Sequence, residues 1–204
     1  MKYKPLFVTG IGTDIGKTLI SAILVEKLKC DYWKPVQSGD LDNSDSMKVQ
    51  RLISNNTSVF HTEAYRLTQP YSPHKSAALD GIEIDEKTIT APKTDNQLLI
   101  EGAGGLMVPL NDHFLIIDLI QQLQAEAILV SKNYLGSINH TLLSIEALKQ
   151  RGIPVKGIIF NGEKNASTED YISAYTQIKH LGRIPELSVV DKKTIADAGK
   201  YISL

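Results

Sequence analysis

Residues 8–18 read VTGIGTDIGKT and decide the fold. The last three, GKT at 16–18, match the end of a phosphate-binding P-loop, G-x-x-x-x-G-K-[ST]. The first glycine of that pattern would fall on Ile11, but the glycines stand on either side of it, at Gly10 and Gly12. The apolar run KPLFVT precedes the stretch, and KTLISAILVEKLK follows it with apolar residues at helical spacing. Because a P-loop lies between a strand and a helix, we interpret the stretch as a phosphate site that is one residue longer than the strict pattern, with Gly10 as its first glycine.

Apolar runs and helical patterns alternate along the rest of the chain. Strands are predicted over 4–9, 31–36, 97–101, 127–131 and 155–160, and helices over 17–29, 46–53, 114–124, 138–152 and 167–180. We expect the last helix to begin with Ser167 or Thr168 as its cap, and QPYSPH at 69–74 to form a turn. The strand runs are continuously apolar, as in strands that are buried on both faces. The pattern predicts one α/β domain over residues 1–204, similar to a P-loop NTPase, with a doubly wound, mostly parallel sheet and helices on both of its faces.

The composition limits which partners the protein is expected to bind and which cellular compartment suits it. The 204 residues carry a net charge of −1, so charge gives no reason to expect nucleic acid or an anionic membrane as a partner. The one cysteine, Cys30, excludes an intramolecular disulfide and suits a reducing compartment. The first residues show no apolar signal-peptide core, and no apolar run approaches the length of a membrane span. We therefore expect a cytoplasmic protein.

Three charged residues lie at the ends of predicted strands or in the polar segment that follows one of them. Lys34 ends the second strand, where a site lysine would lie, although an isolated lysine there is more often solvated. Asp45 lies in the polar stretch NSDS, where Ser44 or Asp45 could instead cap a helix. Glu101 ends an apolar strand and precedes three glycines in four residues. A carboxylate in that place beside a P-loop commonly anchors Mg²⁺, so we expect Glu101 to be functional.

Seven stretches, in this order, resemble the dethiobiotin synthetase family over nearly the whole chain. They are GTDIGKT, WKPVQSG, NSDS, YSPH, EGAGG, LGSINH and GKYISL. The separation of six places between Gly10 and Gly16 also looks like this family's version of the loop. The chain departs from the family at Ile11, where Thr is frequent, at Gly12, where a polar residue is common, and at Gly162, where Asp often follows the asparagine that meets adenine.

The resemblance implies an ATP-dependent cyclo-ligase of biotin biosynthesis. Such an enzyme joins 7,8-diaminopelargonic acid, CO₂ and ATP to give dethiobiotin, ADP and phosphate. One amine forms a carbamate, a carbamate oxygen attacks the γ-phosphate, and the second amine closes the ring on the resulting mixed anhydride. Both steps develop negative charge on oxygen atoms, so positioning and cations should supply most of the acceleration.

Residue roles are carried over position by position from the same motifs. The implied nucleotide contacts are Gly12, Thr13, Asp14, Ile15, Gly16, Lys17, Thr18 and Asn161, and the implied Mg²⁺ ligands are Thr18, Asp45 and Glu101. The implied catalytic residues are Lys34, Lys17, Ser38 and Thr13. The diamine would contact Lys34 and Ser38, and its carboxylate end would contact Gly136, Ser137 and Asn139 across the interface of a homodimer. Ser137 and Asn139 could equally cap the helix that they begin.

Three other classes compete with the synthetase. Switch ATPases of the partition and septum-positioning type share the P-loop, but they have a lysine before the glycines, and none stands between Pro5 and Gly16 here. Amide-forming ligases of the cobyrinic acid synthase type need a glutaminase domain with a nucleophilic cysteine. A small-molecule kinase would leave LGSINH and EGAGG unexplained. Zinc is not expected, because none of the five histidines pairs with Cys or a second His at ligand spacing.

Overall fold

The computed structural model describes residues 3–204; residues 1–2, which belong to the N-terminal stretch considered above for a signal sequence, lie outside the described part. The strands are β1 (Leu6–Gly10), β2 (Asp31–Trp33), β3 (Val36–Ser38), β4 (Phe60–His61), β5 (Tyr65–Leu67), β6 (Leu98–Gly105), β7 (Glu126–Lys132), β8 (Val155–Asn161) and β9 (His180–Ile184). The helices are α1 (Lys17–Leu28), α2 (Asp45–Leu52), α3 (Pro73–Leu79), α4 (Ile116–Gln122), α5 (Ser137–Gln150), α6 (Ala166–Thr176) and α7 (Lys192–Ala198).

The main sheet has the order β4-β2-β6-β1-β7-β8-β9, and every neighbouring pair in it is parallel. Strands β3 and β5 form a separate parallel pair. Because β1 lies at the centre, with the next strand of the chain on one side and β7 to β9 on the other, the order reverses beside β1. That reversal is the topological switch point at which α/β sheets bind ligands, and here it carries the glycine-rich loop.

Successive strand residues are buried in different hydrophobic layers, which confirms helices on both faces of a doubly wound sheet. Leu6 and Val8 of β1 join a core that includes residues of α1 and α7. Phe7 points the other way, into a core that includes residues of α4, and Leu129 of β7 packs with residues of α5 and α6. Both layers exclude water from the strands, which explains why the apolar runs are continuous.

Several local predictions were wrong. The predicted strand over 31–36 divides at Lys34 and Pro35 into β2 and β3. Asn165, rather than Ser167 or Thr168, caps α6, since its side chain accepts a hydrogen bond from the backbone N–H of Thr168. Helix α6 also ends at Thr176, because Gln177 adopts a left-handed φ of 55°.

Other elements had no counterpart in the predictions. The turn expected over 69–74 leads directly into α3, which has Pro73 in its first turn, where the missing N–H of proline costs nothing. Strands β4, β5 and β9 and helix α7 were not predicted. Over the described residues, no helix has both the length and the apolar character to cross a membrane.

Candidate active site

The loop over residues 10–16 joins β1 to α1 and leaves the first turn of α1 open to a ligand. Gly16 precedes the helix with φ 92° and makes no side-chain cap, so the first backbone N–H groups of α1 remain available to an anion. Lys17 Nζ donates to Gly12 O at 3.0 Å, which holds the lysine across the loop. The side chain of Ile15 covers Gly10, where a Cβ atom would lie 2.2 Å from Ile15 Cδ1. These contacts account for the six-place spacing between the two glycines: Gly10 has no side chain, which leaves room for Ile15, and Gly16 immediately precedes α1.

Asn161 supports this loop from the carboxyl end of β8. Its Nδ2 donates to Ile15 O at 2.9 Å. A Cβ atom on Gly16 would lie 2.1 Å from the same nitrogen, so a side chain there would displace Asn161. The amide nitrogen of Asn161 is therefore committed to the loop.

A buried charged cluster lies beside the loop. Lys34 Nζ lies 2.8 Å from Asp45 Oδ2 and 3.3 Å from Glu101 Oε1, and it also donates to Gly102 O at 3.2 Å. Thr18 Oγ1 donates to Glu101 Oε1 at 2.8 Å. Lys34 is therefore not the solvated surface lysine that is common at such a position, since its side chain is only 5% exposed.

The environment sets the protonation of the cluster. Burial alone would lower the pKa of Lys34, but the negative charges of Glu101 and Asp45 outweigh it and raise that pKa. Burial likewise opposes ionisation of Asp45, yet the charge of Lys34 lowers the Asp45 pKa overall. Burial and the nearby Lys34 together lower the pKa of Lys17 to about 8. The site thus holds one firmly charged lysine and a second whose charge depends on what binds.

Ser44 and Asp45 divide the two roles that the sequence left open. Ser44 caps α2 by accepting from Met47 N at 3.4 Å, and Asp45 is left to pair with Lys34. The side chain of Gln37 fixes the backbone of Asp45: its Oε1 accepts from Asp45 N at 3.1 Å, while its Nε2 donates to Gly39 O at 2.9 Å. Gln37 carries no signal in the sequence that marks it as a site residue.

One cavity of about 800 Å³ contains most of the predicted site residues, a size within the range of small-molecule sites. Those that line it are Thr13, Asp14, Gly16, Lys17, Thr18, Lys34, Ser38, Asp45 and Glu101. Ser38 Oγ is buried there and has no hydrogen-bond partner within residues 3–204, so it is available to a ligand. The cavity therefore combines phosphate-binding amides, lysines that include Lys17 and Lys34, carboxylates that include Asp45 and Glu101, and an unpaired hydroxyl.

The donor set fits a magnesium ion. Thr18, Asp45 and Glu101 offer hard oxygen ligands at one place, and Mg²⁺ commonly binds one or two protein carboxylates and keeps several waters. Across residues 3–204 no group of three or more His, Cys, Asp or Glu is arranged as a metal site of its own. The residues thus suit a cation that is shared with bound phosphates.

The other predicted substrate residues lie elsewhere. Gly136 and Asn139 line a second cavity of about 810 Å³, which also includes Asn133 and Tyr171. Gly136 precedes α5 with φ 100° and makes no side-chain cap, so neither Ser137 nor Asn139 occupies the capping position itself. Within one chain, these residues do not join the P-loop cavity.

Tyr32 is a further residue that sequence reasoning missed. It is fully buried on β2, and its hydroxyl donates to Glu101 Oε2 at 3.0 Å. Burial and the charge of Glu101 raise the pKa of this hydroxyl well above its ordinary value, so it remains a hydrogen-bond donor. In the sequence it reads only as an aromatic residue in a short strand.

Comparisons with known proteins agree with this geometry. The AAA domain family matches residues 4–194. ATP-dependent dethiobiotin synthetase BioD of Christiangramia forsetii is 54% identical and aligns over 95% of this chain and 93% of its own length. The protein of the same name from Cytophaga hutchinsonii is 49% identical over 94% of this chain and 93% of its own length.

Solved structures show a more distant likeness. A ParA family ATPase from Chlorobium tepidum aligns with a TM-score of 0.60 at 14% identity, over 98% of this chain and all of its own. The cell division ATPase MinD of Pyrococcus furiosus aligns with a TM-score of 0.59 at 12% identity, over 98% of both chains. At such identities the likeness concerns the fold alone.

Proposed function

This chain belongs to the family of ATP-dependent dethiobiotin synthetases, and from that premise we propose how its P-loop cavity forms dethiobiotin. The chain is an ATP-dependent ligase of biotin biosynthesis. Its substrates in this proposal are 7,8-diaminopelargonic acid, CO₂ and ATP. The observation that carries the proposal is the buried Lys34, held between Asp45 and Glu101 beside the P-loop. Transfer of a phosphoryl group to an anionic acceptor develops negative charge on oxygen atoms. A buried, positively charged lysine beside the phosphate-binding loop stabilises that charge.

The reaction proceeds in three steps. One amine of the diamine adds to CO₂ and loses a proton to give a carbamate. A carbamate oxygen then attacks the γ-phosphorus, and the bond between that phosphorus and the β,γ-bridging oxygen breaks to release ADP. The second amine attacks the carbonyl carbon of the mixed anhydride, and phosphate leaves with the former carbamate oxygen. A proton is lost as the ring closes.

The chain's own residues bind and orient these groups. The amides of residues 12–18, with Thr13 and Lys17, hold the β- and γ-phosphates. Lys34 neutralises charge on the carbamate and on the transferring phosphoryl group, and Ser38 donates to the carbamate through its free hydroxyl. Thr18, Asp45 and Glu101 would hold Mg²⁺, which would neutralise charge on the phosphates. Asn161 places the loop and leaves its side-chain oxygen for the adenine edge.

The carboxylate end of the diamine is assigned to a partner chain. Gly136, Ser137 and Asn139 begin α5 and lie outside the P-loop cavity, so in a homodimer they would serve the cavity of the other subunit. Free amides at a helix N-terminus suit a carboxylate. We further propose that residues 1–204 act as one domain and that the enzyme works in the cytoplasm.

Phosphate release by the purified protein tests the proposal. MgATP is supplied with bicarbonate, in the presence and absence of 7,8-diaminopelargonic acid. The account predicts release that needs both the diamine and bicarbonate, with one dethiobiotin formed per phosphate. Hydrolysis of ATP that is indifferent to the diamine would contradict it and would favour a switch ATPase.

A further inference from the structure

The two carboxylate oxygens of Glu101 have different partners. Oε1 faces the cavity, where it accepts from Thr18 Oγ1 at 2.8 Å and lies 3.3 Å from Lys34 Nζ. Oε2 faces the interior and accepts from the hydroxyl of Tyr32 at 3.0 Å. Glu101 is 1% exposed, so water does not compete for either oxygen. The carboxylate is therefore held with one oxygen presented to the cavity.

The sheet fixes the position of the Tyr32 hydroxyl. Tyr32 lies opposite Leu99 in the parallel pairing of β2 with β6, two residues before Glu101 along β6. Its ring packs against Phe60 at a centroid distance of 5.3 Å and has no exposed surface. Lys34, which follows the end of β2, reaches the other oxygen of the same carboxylate, so the two side chains hold Glu101 from both sides. A phenylalanine would fill this part of the core as well, so the hydroxyl calls for an explanation of its own.

We propose that Tyr32 is a positioning residue that holds Glu101 Oε2, so that the carboxylate meets the magnesium ion through Oε1 alone. The inference rests on the proposed function, because that function places Mg²⁺ at Thr18, Asp45 and Glu101. Groups that orient a metal ligand contribute strongly to metal affinity, and losing one typically costs about 10- to 100-fold in affinity or activity. Tyr32 acts through Glu101 and touches no substrate.

This arrangement also selects between metals. Mg²⁺ requires near-ideal octahedral geometry and suits a carboxylate that binds through one oxygen, whereas Ca²⁺ accepts both oxygens of a carboxylate. With Oε2 occupied by the Tyr32 hydroxyl, two-oxygen binding by Glu101 is disfavoured. Removing the hydroxyl should therefore weaken Mg²⁺ binding and raise the affinity for Ca²⁺ relative to Mg²⁺.

Tyr32→Phe tests the inference, because it removes one oxygen atom and keeps the ring. The matched control is Tyr65→Phe, since the Tyr65 hydroxyl bonds Thr88 Oγ1 at 2.8 Å and does not line the P-loop cavity. Binding of Mn²⁺ to the full chain with a non-hydrolysable ATP analogue is followed by electron paramagnetic resonance, and Mg²⁺ and Ca²⁺ are titrated as competitors. Melting temperature, kcat and KM for the diamine are measured on the same samples.

For Tyr32→Phe we expect Mg²⁺ affinity to fall by about 10-fold, the ratio of Ca²⁺ to Mg²⁺ affinity to rise, and kcat to fall while KM for the diamine stays the same. Tyr65→Phe should leave all four quantities unchanged. An unchanged affinity ratio in Tyr32→Phe would overturn the inference, and so would a variant that fails to fold at 10 °C, because the hydroxyl would then serve the core alone. A wild-type protein that binds no divalent metal with the nucleotide would instead refute the proposed function.

Discussion

Replacing Gly16 by alanine tests how the P-loop is built. Gly16 has φ 92°, and an added Cβ would lie 2.1 Å from Asn161 Nδ2. A side chain in the left-handed region costs roughly 1–2 kcal/mol, and loss of the bond from Asn161 Nδ2 to Ile15 O costs about 0.5–1.5 kcal/mol. We therefore expect Gly16→Ala to lower the free energy of unfolding by about 1.5–3.5 kcal/mol, measured by urea denaturation at 25 °C.

Two other glycines supply matched controls. Gly81 has φ 71° and open space around its Cβ position, so Gly81→Ala carries the backbone cost alone, about 1–2 kcal/mol. Gly12 lies in the same loop without a positive φ, and nothing lies within 4 Å of its Cβ position. Gly12→Ala should therefore leave stability unchanged or raise it by about 0.4–1 kcal/mol, through the unfolded state.

A double-mutant cycle isolates the contact between Gly16 and Asn161. In wild type, Asn161→Ala should cost about 1 kcal/mol for the lost hydrogen bond. After Gly16→Ala the same change should cost almost nothing, because the bond is already broken. The reasoning is refuted if Asn161→Ala costs as much in both backgrounds, or if Gly16→Ala costs no more than Gly81→Ala.

Three further predictions concern the reaction. Lys34→Ala should lower kcat by about 10²–10³-fold, as the loss of a comparable electrostatic donor does. In the same steady-state assay Lys149→Ala, which removes an exposed ion pair with Glu146, should leave kcat unchanged. Near-normal turnover of Lys34→Ala would contradict the role assigned to Lys34. The pKa of Lys17 is lowered to about 8, and bound phosphates favour its charged form, so ATP binding should take up about half a proton at pH 8 and more above it. Calorimetry in buffers of different ionisation enthalpy measures this uptake, and Lys17→Arg should abolish it; equal uptake by both proteins would refute the assignment. We expect the side-chain amide of Asn139 to donate to the carboxylate of the diamine beside the backbone N–H groups of α5, so Asn139→Ala should raise KM for the diamine by about 10-fold, for one lost hydrogen bond to a carboxylate. KM for ATP should stay unchanged, and Ser144→Ala is the neutral control; an equal rise in both KM values would argue against a substrate role.

Residues at strand ends were the part of the site that the sequence could predict. Lys17 follows the glycine loop after β1 and Lys34 follows β2, whereas the strand predicted to end at Glu101 continues to Gly105 as β6. A parallel sheet brings the ends of neighbouring strands to one edge. In the structure all three line the P-loop cavity.

The supporting contacts could not be predicted, because they join distant parts of the chain. Asn161 supports Ile15 across 146 positions, and Tyr32 reaches Glu101 across 69. Neither pairing has a local signal: an asparagine at a strand end and a tyrosine inside a strand fit many roles. Strand β9 was missed for a related reason, since residues 177–180 continue a helical pattern and only the left-handed Gln177 ends the helix.

Transfer of ¹⁸O from bicarbonate to phosphate tests the central claim most directly. The carbamate oxygen that attacks the γ-phosphorus derives from CO₂, and it leaves with phosphate when the ring closes. With MgATP, the diamine and fully ¹⁸O-labelled bicarbonate, sampled before the label exchanges with water, the account predicts one ¹⁸O atom in each released phosphate. Phosphate whose fourth oxygen comes from water, instead of from bicarbonate, would contradict it.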